Sequence, residues 1–225
     1  MSHGQHVEYL RHALSEAQKS PPKPTNFRVG CVLVSYRKPQ EPQILSTGYT
    51  LELEGNTHAE QCALTKMDEA HPREGGLPNI LTQGLKVTLY TTLEPCSKRL
   101  SGNTPCVQRI IDTRQGDPEG GVRKVVFGAK EPNTFVQDSQ SCRLLTEAGV
   151  EWEYIPDLEQ EILAVAMEGH DKKESSGAIN PSTESSSGAP AEQRKEPTNK
   201  EDQVTNIDDI SLRNAKGKKN SHAIP

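Results

Sequence analysis

All five Cys, all three Phe, all five Tyr and the single Trp of this 225-residue chain fall before residue 171, and that break limits what the chain can fold. From Asp171 to Pro225 the sequence is mostly Ser, Glu, Lys, Asn and Pro with scattered small apolar residues. Such a segment has too little apolar surface to offset the entropy of ordering it. The expectation is one folded domain over residues 1–170 and a disordered polar tail over 171–225. Five Cys at irregular spacings fit free thiols and metal ligation better than a secreted disulfide framework. The formal net charge of −5 argues against binding nucleic acid through an overall positive field, so nucleic acid is not an expected partner. The N-terminal run MSHGQHVEYLRHALSEAQ has charge and His throughout and no apolar h-region, and no later stretch is as long as a membrane span. The chain therefore reads as a soluble, cytoplasmic protein with no membrane partner.

Within the first 170 residues, two hydrophobic periods alternate. From His6 to Lys19, Val7, Leu10, Ala13, Leu14 and Ala17 recur at threes and fours, as on one helix face, and the Pro-rich run at 21–24 stops the pattern. Val29 to Val34 is a short β-rich run, and Gln43 to Thr50 returns beside it as a hairpin. Thr57 has the capping-box spacing to Glu60, which predicts a helix running to about His71-Pro72. A Gly/Pro-rich loop follows, then a strand over 85–93 and a helix over 105–112. The alternation repeats with a strand at 122–127, a helix at 136–148, a strand at 150–155 and a terminal helix at 158–167. Five strands interleaved with helices of this length predict an α/β domain with helices on both faces of a sheet.

Three short segments carry chemistry: His58-Ala59-Glu60, Thr92-Leu93-Glu94-Pro95-Cys96 and Pro105-Cys106. One imidazole and two thiolates suit zinc, and three protein ligands leave the fourth position open, as a catalytic zinc requires. A zinc-bound water ionises near neutral pH, so a neighbouring carboxylate can take its proton. Glu60 is the candidate for that role, because two residues beyond His58 it lies on another helical face and can line the cavity without joining the metal. Cys62 leaves an alternative open. Four residues after His58 on the same face, it could close the shell and make the zinc purely structural.

These segments fit the zinc-deaminase signature of H-x-E followed by P-C-x-x-C, and the chain resembles the cytidine-deaminase superfamily. One spacing differs: nine residues, Ser97 to Pro105, separate Cys96 from Cys106. That narrows the resemblance to the riboflavin-pathway pyrimidine deaminases, which carry T-L-E-P-C-S, a Gly-containing insertion and then Pro-Cys. Asn26 to Val32 is similar to the same family's N-P-x-V-G-x-V, with Phe27 in place of Pro. Glu131-Pro132-Asn133 with Leu145 to Val150 is similar to its D-P-N and L-x-x-A-G-I, with Glu131 in place of Asp. The resemblance implies a three-layer α/β/α sandwich with a central mixed five-stranded sheet, Zn2+ on His58, Cys96 and Cys106, and Glu60 as proton carrier. It also implies a pyrimidine pocket at Asn26.

The bacterial relatives continue into a reductase domain, for which this chain has no room, so the resemblance points to the stand-alone fungal-type enzyme. Its substrate would be 2,5-diamino-6-ribitylamino-4(3H)-pyrimidinone 5′-phosphate, deaminated at ring carbon 2, and relatives of this kind often form homodimers. A phosphate needs cations or backbone donors, and Lys98 and Arg99 in the long loop are the nearest by sequence, with Asn103 in the same loop as a further substrate-binding candidate. Competing readings are a tRNA or nucleic-acid base deaminase, a free cytosine, cytidine or deoxycytidylate deaminase, and a zinc-stabilised interaction module with no turnover. Cys31 and Cys142 read as core residues, and the remaining histidines, His170 among them, carry no assignment.

Overall fold

Strand residues that are apolar on both sides require a cover on both sides, and that requirement sets the layers. The structure is a computed structural model that describes residues 1–37, 39–132 and 140–170. Its five strands are β1 (Gly30–Ser35), β2 (Gln43–Tyr49), β3 (Val87–Leu93), β4 (Val122–Ala129) and β5 (Glu151–Tyr154), in spatial order β2-β1-β3-β4-β5. The β1 strand pairs antiparallel with both β2 and β3, whereas β3, β4 and β5 run parallel, so the sheet is mixed. Every residue of β1 and β3 is buried, as expected of central strands. One face presents Cys31, Leu33, Leu89, Val125 and Phe127 to the helices α2 (Ala59–Glu69), α4 (Cys106–Asp112) and α5 (Ser141–Glu147). The other presents Val32, Val34, Tyr90 and Val126 to α1 (His3–Ala17) and α6 (Glu159–Ala166). Among the described residues no helix is long and apolar enough to cross a membrane.

Several elements differ from the sequence reading. The first helix begins three residues before the apolar period, because Ser2 and Gln5 form a reciprocal capping box. The second helix is not capped by Thr57, whose hydroxyl donates back to the Leu53 carbonyl at 3.1 Å. His58 holds the cap position with extended backbone (φ −94°, ψ 159°) and makes no side-chain cap bond, so Glu60 is the second helical residue and not the third. The Gly/Pro-rich loop contains a short helix, α3 (Leu77–Ile80), with Pro78 in its first turn. The expected helix over 136–148 is observed from Ser141 to Glu147, and its first part, like Asn133 and the tail from 171, lies outside the described residues.

Two glycines set how closely the helices approach the sheet. A Cβ on Gly30 would stand 1.9 Å from the Ala13 carbonyl oxygen, and one on Gly48 would stand 2.3 Å from that of Ala59. Only glycine lets α1 lie on β1, and α2 on β2, at these distances. The Gly48 contact fixes the terminus of α2 that carries His58 and Glu60.

Candidate active site

Parallel strands deliver their carboxyl ends to one edge of a sheet, and ligand clefts form just outside that edge. Here β3 runs directly into Glu94-Pro95-Cys96, and the Glu94 amide donates to the Ala129 carbonyl at the end of β4. Ser141 at the start of α5 donates its hydroxyl to the Pro95 carbonyl at 2.5 Å, so the turn before Cys96 is held from both sides. Cys106 is the first residue of α4, and its amide donates to Cys96 Sγ at 3.4 Å. His58, at the start of α2, brings Nδ1 to 3.5 Å from Cys96 Sγ and 3.4 Å from Cys106 Sγ. Zinc–nitrogen and zinc–sulfur bonds of about 2.0 and 2.3 Å at a tetrahedral angle place such atoms about 3.5 Å apart. Ligand atoms of the three residues all lie within 4.8 Å of one another, so the donor set suits zinc in both chemistry and spacing.

Cys62 is not part of this group among the described residues. It is fully buried in α2, its Cβ facing Gly48 of β2, as a small residue at a helix–sheet contact. The fourth side of the His58, Cys96 and Cys106 cluster faces an open cleft that all but Cys106 line, together with Glu60. Glu60 is 3% exposed, and burial, reinforced by the charge of Cys96, pushes its carboxyl above the ordinary carboxylate range. Hydrogen bonding from Cys106, and additionally from His58, holds the Cys96 thiol below the ordinary thiol range.

The remaining residues singled out from sequence divide. Asn26 lines the cleft and donates from Nδ2 to Asn56 Oδ1 at 2.8 Å. Lys98 lines it from an exposed position. Arg99 lines it too, but the side chain is buried, with Nη1 donating to Gln61 Oε1 at 2.9 Å and Nη2 to the Asn56 carbonyl at 2.6 Å. Asn103 is exposed and does not line the cleft.

Other cleft residues had no such assignment from sequence. Asn56 stands two residues before His58 in a stretch that read as a cap, and Glu94 lies in the same T-L-E-P-C segment as Cys96. Glu131 lines the cleft with Oε2 buried and, among the described residues, without a hydrogen-bond partner, and its pKa is raised to about 8 by burial first and then by Cys96, Glu60 and Glu94. Its place after β4 was visible only as a departure from the D-P-N pattern.

Residues 3–128 match the family described as the cytidine and deoxycytidylate deaminase zinc-binding region. The chain belongs to this deaminase family. Within it, the chain is 36% identical over 168 residues to the diaminohydroxyphosphoribosylamino-pyrimidine deaminase of Schizosaccharomyces pombe. That alignment covers 75% of this chain but 36% of the relative, so the chain spans little more than a third of that protein. Among solved structures it is similar to the Rib2 deaminase of Aspergillus oryzae, a C-terminal deletion mutant, at 51% identity and a TM-score of 0.67. The match covers 74% of this chain and 92% of that one. A complex of the same Aspergillus protein with DARIPP matches at 50% identity and a TM-score of 0.66, with the same coverage. The three-layer arrangement with a mixed five-stranded sheet is the fold these deaminases share.

Proposed function

We propose that this chain is a zinc-dependent deaminase that replaces the C2 amino group of 2,5-diamino-6-ribitylamino-4(3H)-pyrimidinone 5′-phosphate by oxygen, a step of riboflavin biosynthesis. The observation that carries this reading is the meeting, in one cleft, of a His/Cys/Cys donor set, a buried carboxyl and a polar wall headed by Asn26. The half-identical Aspergillus relative that binds DARIPP, a phosphorylated pyrimidine, supports the substrate class. Zinc held by His58, Cys96 and Cys106 would supply a water that ionises near neutral pH.

Glu60 does the proton work. It is the carboxyl in the cleft on the same helix as His58, and its burial lets it hold a proton that a solvated carboxylate would lose. It takes one proton from the water and delivers it to the ring nitrogen beside C2, then carries the second to the departing amine. The water oxygen bonds to C2 as the ring nitrogen gains the first proton, the C2–N bond then breaks, ammonia leaves with the second proton, and Glu60 returns to its starting state. Asn26, held by Asn56, offers its amide to the ring. Lys98 meets the phosphate at the rim, while Arg99 keeps the loop seated on α2.

The test is turnover. Purified protein is incubated with the ribitylamino and ribosylamino pyrimidine phosphates, cytidine and single-stranded DNA, and ammonia release is followed. The ribitylamino phosphate is expected to react far faster than the others. Preferential turnover of cytidine would leave only the family and overturn the substrate, and no release from any compound would favour an interaction module.

A further inference from the structure

The cleft wall formed by Thr25, Asn26 and Phe27 comes from a loop with no strand or helix of its own, so something else must hold it in place. Part of the support is local: Thr25 donates its hydroxyl to Asn26 Oδ1 at 2.8 Å, and Asn26 donates to Asn56. The rest comes from residues 166–170, more than 130 positions along the chain. The Arg28 amide donates to the Ala166 carbonyl at 3.1 Å, and the buried Arg28 guanidinium pairs with Glu168 while Nε donates to the Ser20 carbonyl at 2.7 Å. Gly169, at φ +90°, lies so close to the loop that a Cβ there would stand 2.7 Å from the Lys23 amide. His170 then stacks on Phe27 with ring centroids 5.1 Å apart and planes 15° apart. Its Nε2 lies 3.1 Å from the Asn26 carbonyl, which can only accept, so the imidazole donates.

These contacts end a continuous hydrogen-bonded arc. Gln61 binds Arg99, Arg99 binds the Asn56 carbonyl, the Asn56 side chain binds Asn26, and the Asn26 carbonyl binds His170. The arc runs from the residue after Glu60 around the cleft to His170, four residues past the end of α6. Both chemical faces of Asn26 are engaged, its side chain from the α2 side and its backbone from the α6 side. A residue so held reaches a ligand without first having to be ordered, and ordering is a cost that otherwise weakens binding.

We propose that residues 166–170 form a strap that fixes the substrate-facing wall, with His170 as the positioning residue that aims Asn26 into the cleft. The strap does not touch the reacting atoms. Its effect falls on substrate binding and leaves the proton transfers of Glu60 alone. The identity of the ligand rests on the pyrimidine-deaminase reading, whereas the strap itself rests on the contacts above.

The experiment uses full-length protein carrying His170→Ala or His170→Phe, the second keeping an aromatic ring on Phe27 while losing the donor. Steady-state kinetics on the ribitylamino pyrimidine phosphate are measured beside zinc content, thermal midpoint and amide hydrogen exchange at residues 25–29. Loss of one hydrogen bond is expected to raise KM roughly three- to tenfold in either variant, with kcat within about twofold. Zinc content and midpoint are expected to stay at the wild-type level, and exchange at 25–29 to quicken. An unchanged KM in both folded variants would overturn the strap, as would a fall in zinc content and kcat without a change in KM. If His170→Ala does not fold, His170→Phe decides by the same readings. If wild-type protein does not turn over the pyrimidine, the substrate reading fails, and exchange decides the strap: faster at 25–29 supports it, unchanged overturns it.

Discussion

His58 and Glu60 divide one helix terminus between two tasks, because His58 stands at the cap with extended backbone while Glu60 is the second residue of the helix itself. The imidazole reaches the two sulfurs, while the carboxyl turns into the buried wall of the cleft. Glu60→Gln preserves that shape and removes the proton carrier. It is expected to keep zinc and fold while kcat drops by about 10²- to 10⁴-fold, checked by metal analysis and ammonia release on one preparation. Near-normal kcat would remove Glu60 from the mechanism. The two neighbouring cations of the long loop separate in the same way. Lys98 is exposed at the rim, so Lys98→Ala is expected to raise KM for the phosphorylated pyrimidine and leave the weak turnover of its dephosphorylated form unchanged. Arg99 is buried against Gln61 and the Asn56 carbonyl, so Arg99→Ala is expected to impair both compounds alike. A phosphate-selective effect of Arg99→Ala would instead put its guanidinium on the substrate. Sequence places both residues beside Cys96 with equal standing, and only burial tells them apart.

At the scale of elements, the legible features were those written in a local period, and the hidden ones depended on a distant partner. The apolar stripe of α1 announced the helix, and the run of Val, Thr, Leu and Tyr announced β3. The cap of α2 was misread because Thr57 and Glu60 have capping-box spacing, whereas the Thr57 hydroxyl turns back to the Leu53 carbonyl and His58 holds the cap position. The contacts that residues 166–170 make with the loop before β1 carried no signal, since those partners lie at the other end of the chain. The same is true of His6. It sits on the apolar side of α1, with Nδ1 2.9 Å from the Tyr90 hydroxyl, which in turn lies 2.8 Å from that of Tyr36. Lys124, Glu153, His3 and the N-terminal amine face it from the neighbouring segments. Burial, then Lys124, lowers its pKa, with Glu153 opposing. The unfolded chain therefore binds a proton near pH 6.5 that the folded one refuses, so stability is full above that pH and falls as pH drops below it. His6→Gln is expected to flatten that part of the slope, read as urea midpoints at intervals from about pH 5 to 7.5. An equal slope in both proteins would mean that His6 does not titrate with unfolding.

On the scale of the whole molecule, the sheet order β2-β1-β3-β4-β5 brings together chemistry from segments far apart in sequence. His58 and Glu60 come from the helix after the β1–β2 hairpin, Cys96 from the end of β3, and Cys106 from the helix that crosses to β4. Among the described residues the last fully buried apolar residue is Ala166, on the α1 side of the sheet, with Met167 packed partly buried beside it. The wall of the cleft is tied down by residues that end at His170. The composition change at 171 therefore falls directly after the last residue the arc uses. Two truncations separate the contributions. Removing residues 171–225 is expected to leave a folded, zinc-loaded domain with its thermal midpoint within about 2 °C of the full chain, because the removed segment offers little apolar area to a core. Removing residues 167–225 as well takes away Glu168 and His170, and so is expected to raise KM for the pyrimidine phosphate above that of the shorter truncation while the zinc remains. A midpoint that falls by many degrees on the first cut would show that residues beyond 170 dock on the domain. Equal kinetics after the two cuts would show that the cleft wall stands without residues 167–170.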